Sequence, residues 1–242
     1  MIQRVLWPVR RQPGLFRRDA AGCLRAGHPP LVVLGRESVP TGGPAVLVFN
    51  HYHRPGFWAW WLAIGLSAIV PADIHWIITA ELTSTDWLRG RTISPLSRWV
   101  LARVARQYGF TTMPAMPPCP GQEAERAQAV RAVLAYVHRT PNPLVGLAPE
   151  GGDSNDGRLR RPPSGAGRFL LHLAAAGLAI APVGAYETGD ALCFHFGQSF
   201  NLVYAGADHR PDVQDRWAAD RVMQAVAALL PSDLRGDYSG QD

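Results

Sequence analysis

Short apolar runs alternate along this chain with longer stretches of helical periodicity, and that alternation restricts the fold more than any other feature. Residues 31–34, 45–49, 75–80, 110–113, 144–148, 179–185, 191–196 and 200–204 have the length and composition of buried strands. Between them, 57–70, 85–91, 95–108, 123–139, 168–176 and 212–230 read as helices. Leu96, Val100, Val104 and Tyr108 recur at every fourth position, and Val130, Val133, Leu134 and Val137 share one face of their segment. This order predicts an α/β protein with a mostly parallel central sheet flanked by helices. No repeat or domain-sized linker interrupts it. The 242 residues are therefore expected to form one α/β domain over 31–242, preceded by a basic, partly amphipathic segment over 1–30.

Charge bears on partners. All 24 basic residues are arginine and the net charge is +5, modest for a nucleic-acid binder. No arginine run is interleaved with stacking aromatics, so nucleic acid is not an expected partner. Arg4, Arg10, Arg11, Arg17 and Arg18 face only Asp19 in the first twenty positions, among Leu6, Trp7 and Phe16. Such a segment suits an anionic membrane surface, where each arginine adds ~1 kcal/mol, and equally a solvated terminus. Cys23, Cys119 and Cys193 are scattered and odd in number, which implies no disulfide framework and a reducing compartment. No signal-peptide pattern opens the chain. The longest apolar run, 56–71, falls short of the ~20 residues a span requires. A peripheral protein on the cytoplasmic side of a membrane, with no transmembrane helix, is the expectation.

Two strand ends carry residues capable of chemistry: Asn50-His51 after 45–49, and Pro149-Glu150-Gly151-Gly152 after 144–148. If the two strands are parallel neighbours, both ends open onto one crevice. A histidine there can take a proton from a hydroxyl. Backbone N–H groups of a glycine turn can stabilise an oxyanion or hold a phosphate. His51-Tyr52-His53 also offers a His-x-His pair to a metal ion, but further ligands are only scattered Asp, Glu and His, so no metal site is expected.

The order of these blocks carries more than each alone. GRESVP, PAVLVFNH, a distant LAPEGGDS and then GAGRFLLHLAAAGLAIAPVGAYE resemble the glycerolipid acyltransferase family, which includes the lysophosphatidate acyltransferases. Asn50, His51, Pro149, Glu150, Gly151, Ser154, Pro182 and Val183 match the family in type and order, and the resemblance spans 32–198. It implies a glycerol-phosphate-acyltransferase-like fold. It also implies transfer of a fatty acyl group from an acyl thioester, on coenzyme A or acyl carrier protein, to a hydroxyl of a lysolipid or other lipid-like acceptor. His51 is then the catalytic base. Asn50, Arg54, Glu150, Gly151, Gly152 and Ser154 form the acceptor side, and Phe57, Trp58, Trp60 and Trp61 an acyl-chain wall or membrane anchor. No cofactor is implied, since the thioester is a substrate. The expected partners are that donor, a lipid or lysolipid acceptor and a membrane surface.

Two departures qualify the match. The family places an aspartate five positions after its histidine; here that position is Gly56. Loss of such an orienting carboxylate costs on the order of 10⁴-fold in a comparable triad. The chain is then slow, or a lipid-binding descendant without turnover, or supplied with a substitute from His53, Glu150 or Asp153. The family also continues its second block with Thr-Arg-Ser, where this chain has Gly152-Asp153-Ser154, and it keeps an arginine where this chain has Pro114-Ala115. Either Arg54, Arg158, Arg160, Arg161 and Arg168 hold a phosphate instead, or the acceptor has no phosphomonoester.

Overall fold

The computed structural model describes residues 15–25, 30–54, 56–57, 59–81, 87–115, 120–152 and 156–240. Its centre is a seven-stranded sheet in the order β1-β7-β6-β2-β5-β3-β4. The strands are β1 Leu31–Leu34, β2 Ala45–Phe49, β3 His75–Thr79, β4 Thr111–Met113, β5 Leu144–Leu147, β6 Ala179–Thr188 and β7 Ala191–Phe196. β2 is parallel to both β5 and β6, and β3 to both β5 and β4. β7 turns back antiparallel on β6, and β1 runs with β7. The sheet is thus mostly parallel, as the alternation of elements requires.

Helices α1 Leu15–Arg25, α2 Trp60–Ile69, α3 Trp87–Tyr108, α4 Glu123–Arg139, α5 Ala166–Ala175 and α6 Pro211–Ala227 cover the two faces. β2 is buried along its whole length, and its side chains alternate between two cores. Ala45, Leu47 and Phe49 pack with Leu62 and Leu66 of α2. Val46 and Val48 join the core that holds Val133 of α4, Leu170 and Leu173 of α5 and Val222 of α6. Each fully buried Leu or Val removes enough apolar surface to contribute ~1.5–3 kcal/mol, so neither face can be stripped. Adjacent strands β2 and β5 send their helices to opposite faces, α2 to one and α5 to the other. That is a switch point, where parallel sheets open a crevice at the carboxyl ends of their strands.

Several expected elements differ. Residues 200–204 form no strand: Phe200 makes a single two-bond bridge to Ile180. β7 pairs with β6 only from Val183 onward, so the edge of Ile180 is open to Phe200 but nothing extends the ladder. The helices expected at 85–91 and 95–108 are one, α3, with Pro95 inside it; residues 82–86 lie outside the described set. The lost N–H removes one helical bond, which the surrounding turns outvote. Nor does the expected boundary at residue 30 divide the structure. Phe16 of α1 sets its ring edge-on against Tyr108 and Phe110, with centroids 5.0 Å away in each case. The Tyr108 hydroxyl donates to Asp19 at 3.0 Å, and Ala20 is buried. Arg4, Leu6, Trp7, Arg10 and Arg11 lie outside the described residues, while Arg17 and Arg18 are exposed.

Candidate active site

The parallel register of β2 on β5 (Ala45 opposite Leu144, Val48 opposite Leu147) brings their carboxyl ends side by side. Glu150 then joins the two. One carboxylate oxygen accepts the backbone N–H of His51 at 2.6 Å, and the other accepts that of Arg160 at 2.7 Å. Glu150 is only 8% exposed, and burial pushes its carboxyl up from 4.5 to about 7. The two N–H bonds and the nearby His51 and Arg160 charges oppose that rise by favouring the ionised form. A second contact closes the same seam. A Cβ on Gly157 would lie 2.8 Å from the His53 carbonyl oxygen and 3.4 Å from the Tyr52 ring. Only a glycine lets the loop after β5 press this closely on the loop after β2.

Asn50 acts on the backbone rather than on a ligand. Its amide donates to Ala185 O at 2.8 Å and accepts from Ala185 N at 2.7 Å. Both ends of this buried side chain are spent on tying the tip of β2 to β6, which turns the chain sharply at His51. The acceptor-side role expected for Asn50 therefore gives way to a positioning one.

Beyond His51 the loop is clamped by Glu187, at the far end of β6. Its carboxylate accepts the Tyr52 hydroxyl at 3.1 Å, Arg54 Nη2 at 2.8 Å and Arg54 Nε. The Tyr52 phenol is pushed up, first by burial and then by the Glu187 charge. Arg54 points its fork at Glu187, so an incoming anion must share or displace that bond. Sequence reasoning missed Glu187. Its only signal was position, at the end of the strand that carries Pro182 and Val183.

Gly56 adopts φ 83, the left-handed region where a side chain is strained. An aspartate here would have to adopt that left-handed backbone. Of the three substitutes considered, Glu150 lies against the His51 backbone, while Asp153 lies outside the described residues. His53 is half-buried on the same loop, its carbonyl facing Gly157. Ser154 and Trp58 also lie outside the described residues. The Gly151 N–H turns back to Ala148 O at 3.2 Å. Gly151 thus spends its N–H inside the turn.

The five arginines do not converge. Arg160 reaches Asp156 at 2.8 Å, and the Arg158 N–H donates to the same carboxylate at 3.2 Å. The Arg160 backbone is held beside the glycine turn by Glu150. Arg161 pairs with Asp220 of α6 at 3.7 Å. Arg168, in the first turn of α5, gives its N–H to Asp215 of α6 at 2.8 Å. Arg161 thus turns its guanidinium to α6 and drops out of a common phosphate cradle, whereas Arg168 is tied to α6 through its backbone alone. Phe57 is buried edge-on against Tyr52, with centroids 5.3 Å apart. Trp61 packs partly against the core, and Trp60 is 57% exposed. Among the described residues no group of three or more His, Cys, Asp or Glu side chains could hold a metal ion. Among them too, no helix is long and apolar enough to cross a membrane.

Residues 31–186 match the model of the family described as Acyltransferase. The fold is similar to that of the 1-acyl-sn-glycerophosphate (LPA) acyltransferase PlsC from Thermotoga maritima, with a TM-score of 0.52 at 15% sequence identity. The likeness covers 88% of this chain and 76% of that one. No curated protein matches the chain in sequence.

Proposed function

The chain belongs to the acyltransferase family, and from that premise we propose that it moves a fatty acyl group from an acyl thioester to a hydroxyl of a lipid-like acceptor, with His51 as general base. The observation that carries this reading is the Glu150 bridge. It draws the His51 turn and the glycine turn after β5 into one crevice at the switch point between β2 and β5.

His51 takes the proton of the acceptor hydroxyl as its oxygen attacks the thioester carbonyl. The tetrahedral oxyanion forms next to the Gly152 N–H, then collapses and expels the thiolate, which recovers the proton from the imidazolium. Glu150 stands in for the missing motif carboxylate. Its grip on the His51 N–H holds the turn that aims the ring. The donor is an acyl-coenzyme A or an acyl carrier protein thioester. Arg54, Arg158 and Arg160 stand on the acceptor side, and a lysophospholipid phosphate would compete with Glu187 for Arg54 and with Asp156 for Arg160.

Membrane association at the cytoplasmic surface is supported by three exposed apolar side chains: Trp60 at the start of α2, with Leu96 (63% exposed) and Trp99 (49%) one turn apart on α3. α2 follows β2, whose carboxyl end borders the crevice, and Arg98 and Arg106 are exposed on α3.

The test is incubation with labelled acyl thioesters of both carriers and a panel of lysolipid and alcohol acceptors. Transfer by the wild type should fall by roughly 10²–10⁴-fold in His51→Ala. Glycine in place of the motif carboxylate at position 56 favours a second reading, a lipid binder without turnover. That reading wins if no acceptor is acylated while acyl thioester binding survives in His51→Ala.

A further inference from the structure

We propose that residues 231–240 form a strap that positions His51 for acyl transfer, acting through Leu159, the Arg160 backbone and Glu150. The proposal rests on the acyltransferase reading and adds to it a distant segment that shares no strand or helix with the crevice.

The strap grips the loop after β5 on both sides of Arg160. The Leu159 N–H donates to Leu234 O at 2.9 Å, and the Asp237 N–H donates to Leu159 O at 3.1 Å. One residue on, the Arg161 N–H donates to the Asp237 carboxylate at 2.9 Å. Arg160 thus sits between two pinned neighbours, and its own N–H is the one that meets Glu150. The opposite oxygen of that carboxylate holds the His51 N–H. Four links therefore run from the strap to the turn that carries the base.

The strap itself is anchored independently of the site. Leu234 packs against the cores on both faces of the sheet. Tyr238 is buried and donates its hydroxyl to Asp220 of α6 at 3.2 Å. Gly236 has φ 49, and a Cβ there would lie 2.1 Å from Leu159 O. This approach admits no side chain, so any residue larger than glycine must lift the strap from Leu159. Packing alone would hold the segment to α6 through Tyr238. The bonds to Leu159 and Arg161 do something different, because they set the direction of one N–H.

Two variants test this: Gly236→Ala, which pushes the strap off Leu159, and Asp237→Ala, an exposed change that removes only the Arg161 contact and spares the fold. Amide hydrogen exchange at Arg160 and His51 is followed in each, with kcat, KM and the pH profile of acyl transfer. Exchange at both amides should quicken by roughly tenfold or more. kcat should fall with KM little changed. The acid limb of the pH profile should move upward by about half a unit or more, since the ionised Glu150 loses a donor. Unchanged exchange at His51 in both variants overturns the proposal. So does faster exchange with kcat and the pH limb unmoved, which would make the strap merely structural. If Gly236→Ala does not fold, Asp237→Ala decides. Should the wild type transfer no acyl group, the acyltransferase reading falls, while the exchange measurements still decide whether the strap governs the His51 turn.

Discussion

Replacing Glu150 by Gln should make the protein more stable at high pH while impairing its site. The carboxyl is buried, and its ionisation is pushed from 4.5 to about 7. A folded-state value raised in this way means that the folded protein holds the proton more tightly than the unfolded chain. The contribution to stability is complete below 4.5 and is lost as pH rises through 7. Each pH unit between those values costs ~1.4 kcal/mol, so the ionised carboxylate carries a penalty of about 3 kcal/mol by pH 8. Gln has nearly the same shape and no charge. Unlike the neutral acid, whose hydroxyl oxygen can still accept, it satisfies only one of the two N–H groups and turns a donor toward the other. The variant should therefore trail the wild type by about 1–3 kcal/mol near pH 5 and gain about 3 kcal/mol on it by pH 8. Urea unfolding of both proteins between pH 5 and 8.5 reads this as a midpoint difference that moves in favour of the variant by on the order of 1 M toward the alkaline end. Acyl transfer should fall in the same variant, because the His51 turn loses its carboxylate. A group whose neutralisation stabilises the fold and harms the reaction is held for chemistry. A separation that stays constant across the range, or a wild type that gains on the variant as pH rises, would falsify this reasoning.

Restoring the motif carboxylate as Gly56→Asp should not restore a faster enzyme. At φ 83 the side chain costs about 1 kcal/mol or more, so a lower thermal midpoint and an unimproved kcat are expected; a large rate increase would refute the assignment of that role to Glu150. Glu187→Ala releases the Arg54 guanidinium, and phosphate-bearing acceptors should then gain in kcat/KM relative to neutral alcohols. An unchanged ratio removes Arg54 from the acceptor side. Because Arg54 is half exposed, the broken pair itself should cost no more than about 1 kcal/mol in unfolding assays. The double variant Trp60→Ser, Trp99→Ser should bind less to anionic phospholipid vesicles in sedimentation assays, with unfolding unchanged. Equal binding would move the membrane contact elsewhere.

Much of the architecture was legible before any coordinates. β2 and β7 begin and end where their apolar runs do, and α4 occupies the stretch read as helical, because burial on one or both faces imposes a period that the chain must carry locally. Failures came where a local pattern had no matching partner. Residues 200–204 alternate as a strand should, yet the neighbouring edge offers room for a single bridge. Pro95 looked like a helix start because its missing N–H is tolerated there, whereas in α3 it is carried through. α1 was read only as part of a basic, partly amphipathic segment, since its packing depends on Tyr108 and Phe110 far along the chain.

The site divides along the same line. His51, Glu150 and the glycine turn were identifiable as residue types at strand ends, since chemistry in a parallel sheet gathers there and the motif order restricts which ends matter. What each one does was decided only by folding. Asn50 spends its amide on Ala185, Glu187 takes the Arg54 fork, Arg161 turns toward α6, and Gly236 presses on Leu159. Every one of these is a contact between residues far apart in the chain. Periodicity and spacing record what a residue needs from its immediate neighbours and from the nearest face of the sheet. They do not record which distant donor arrives at a given carboxylate, and in this protein that arrival ties the His51 turn to the loop after β5.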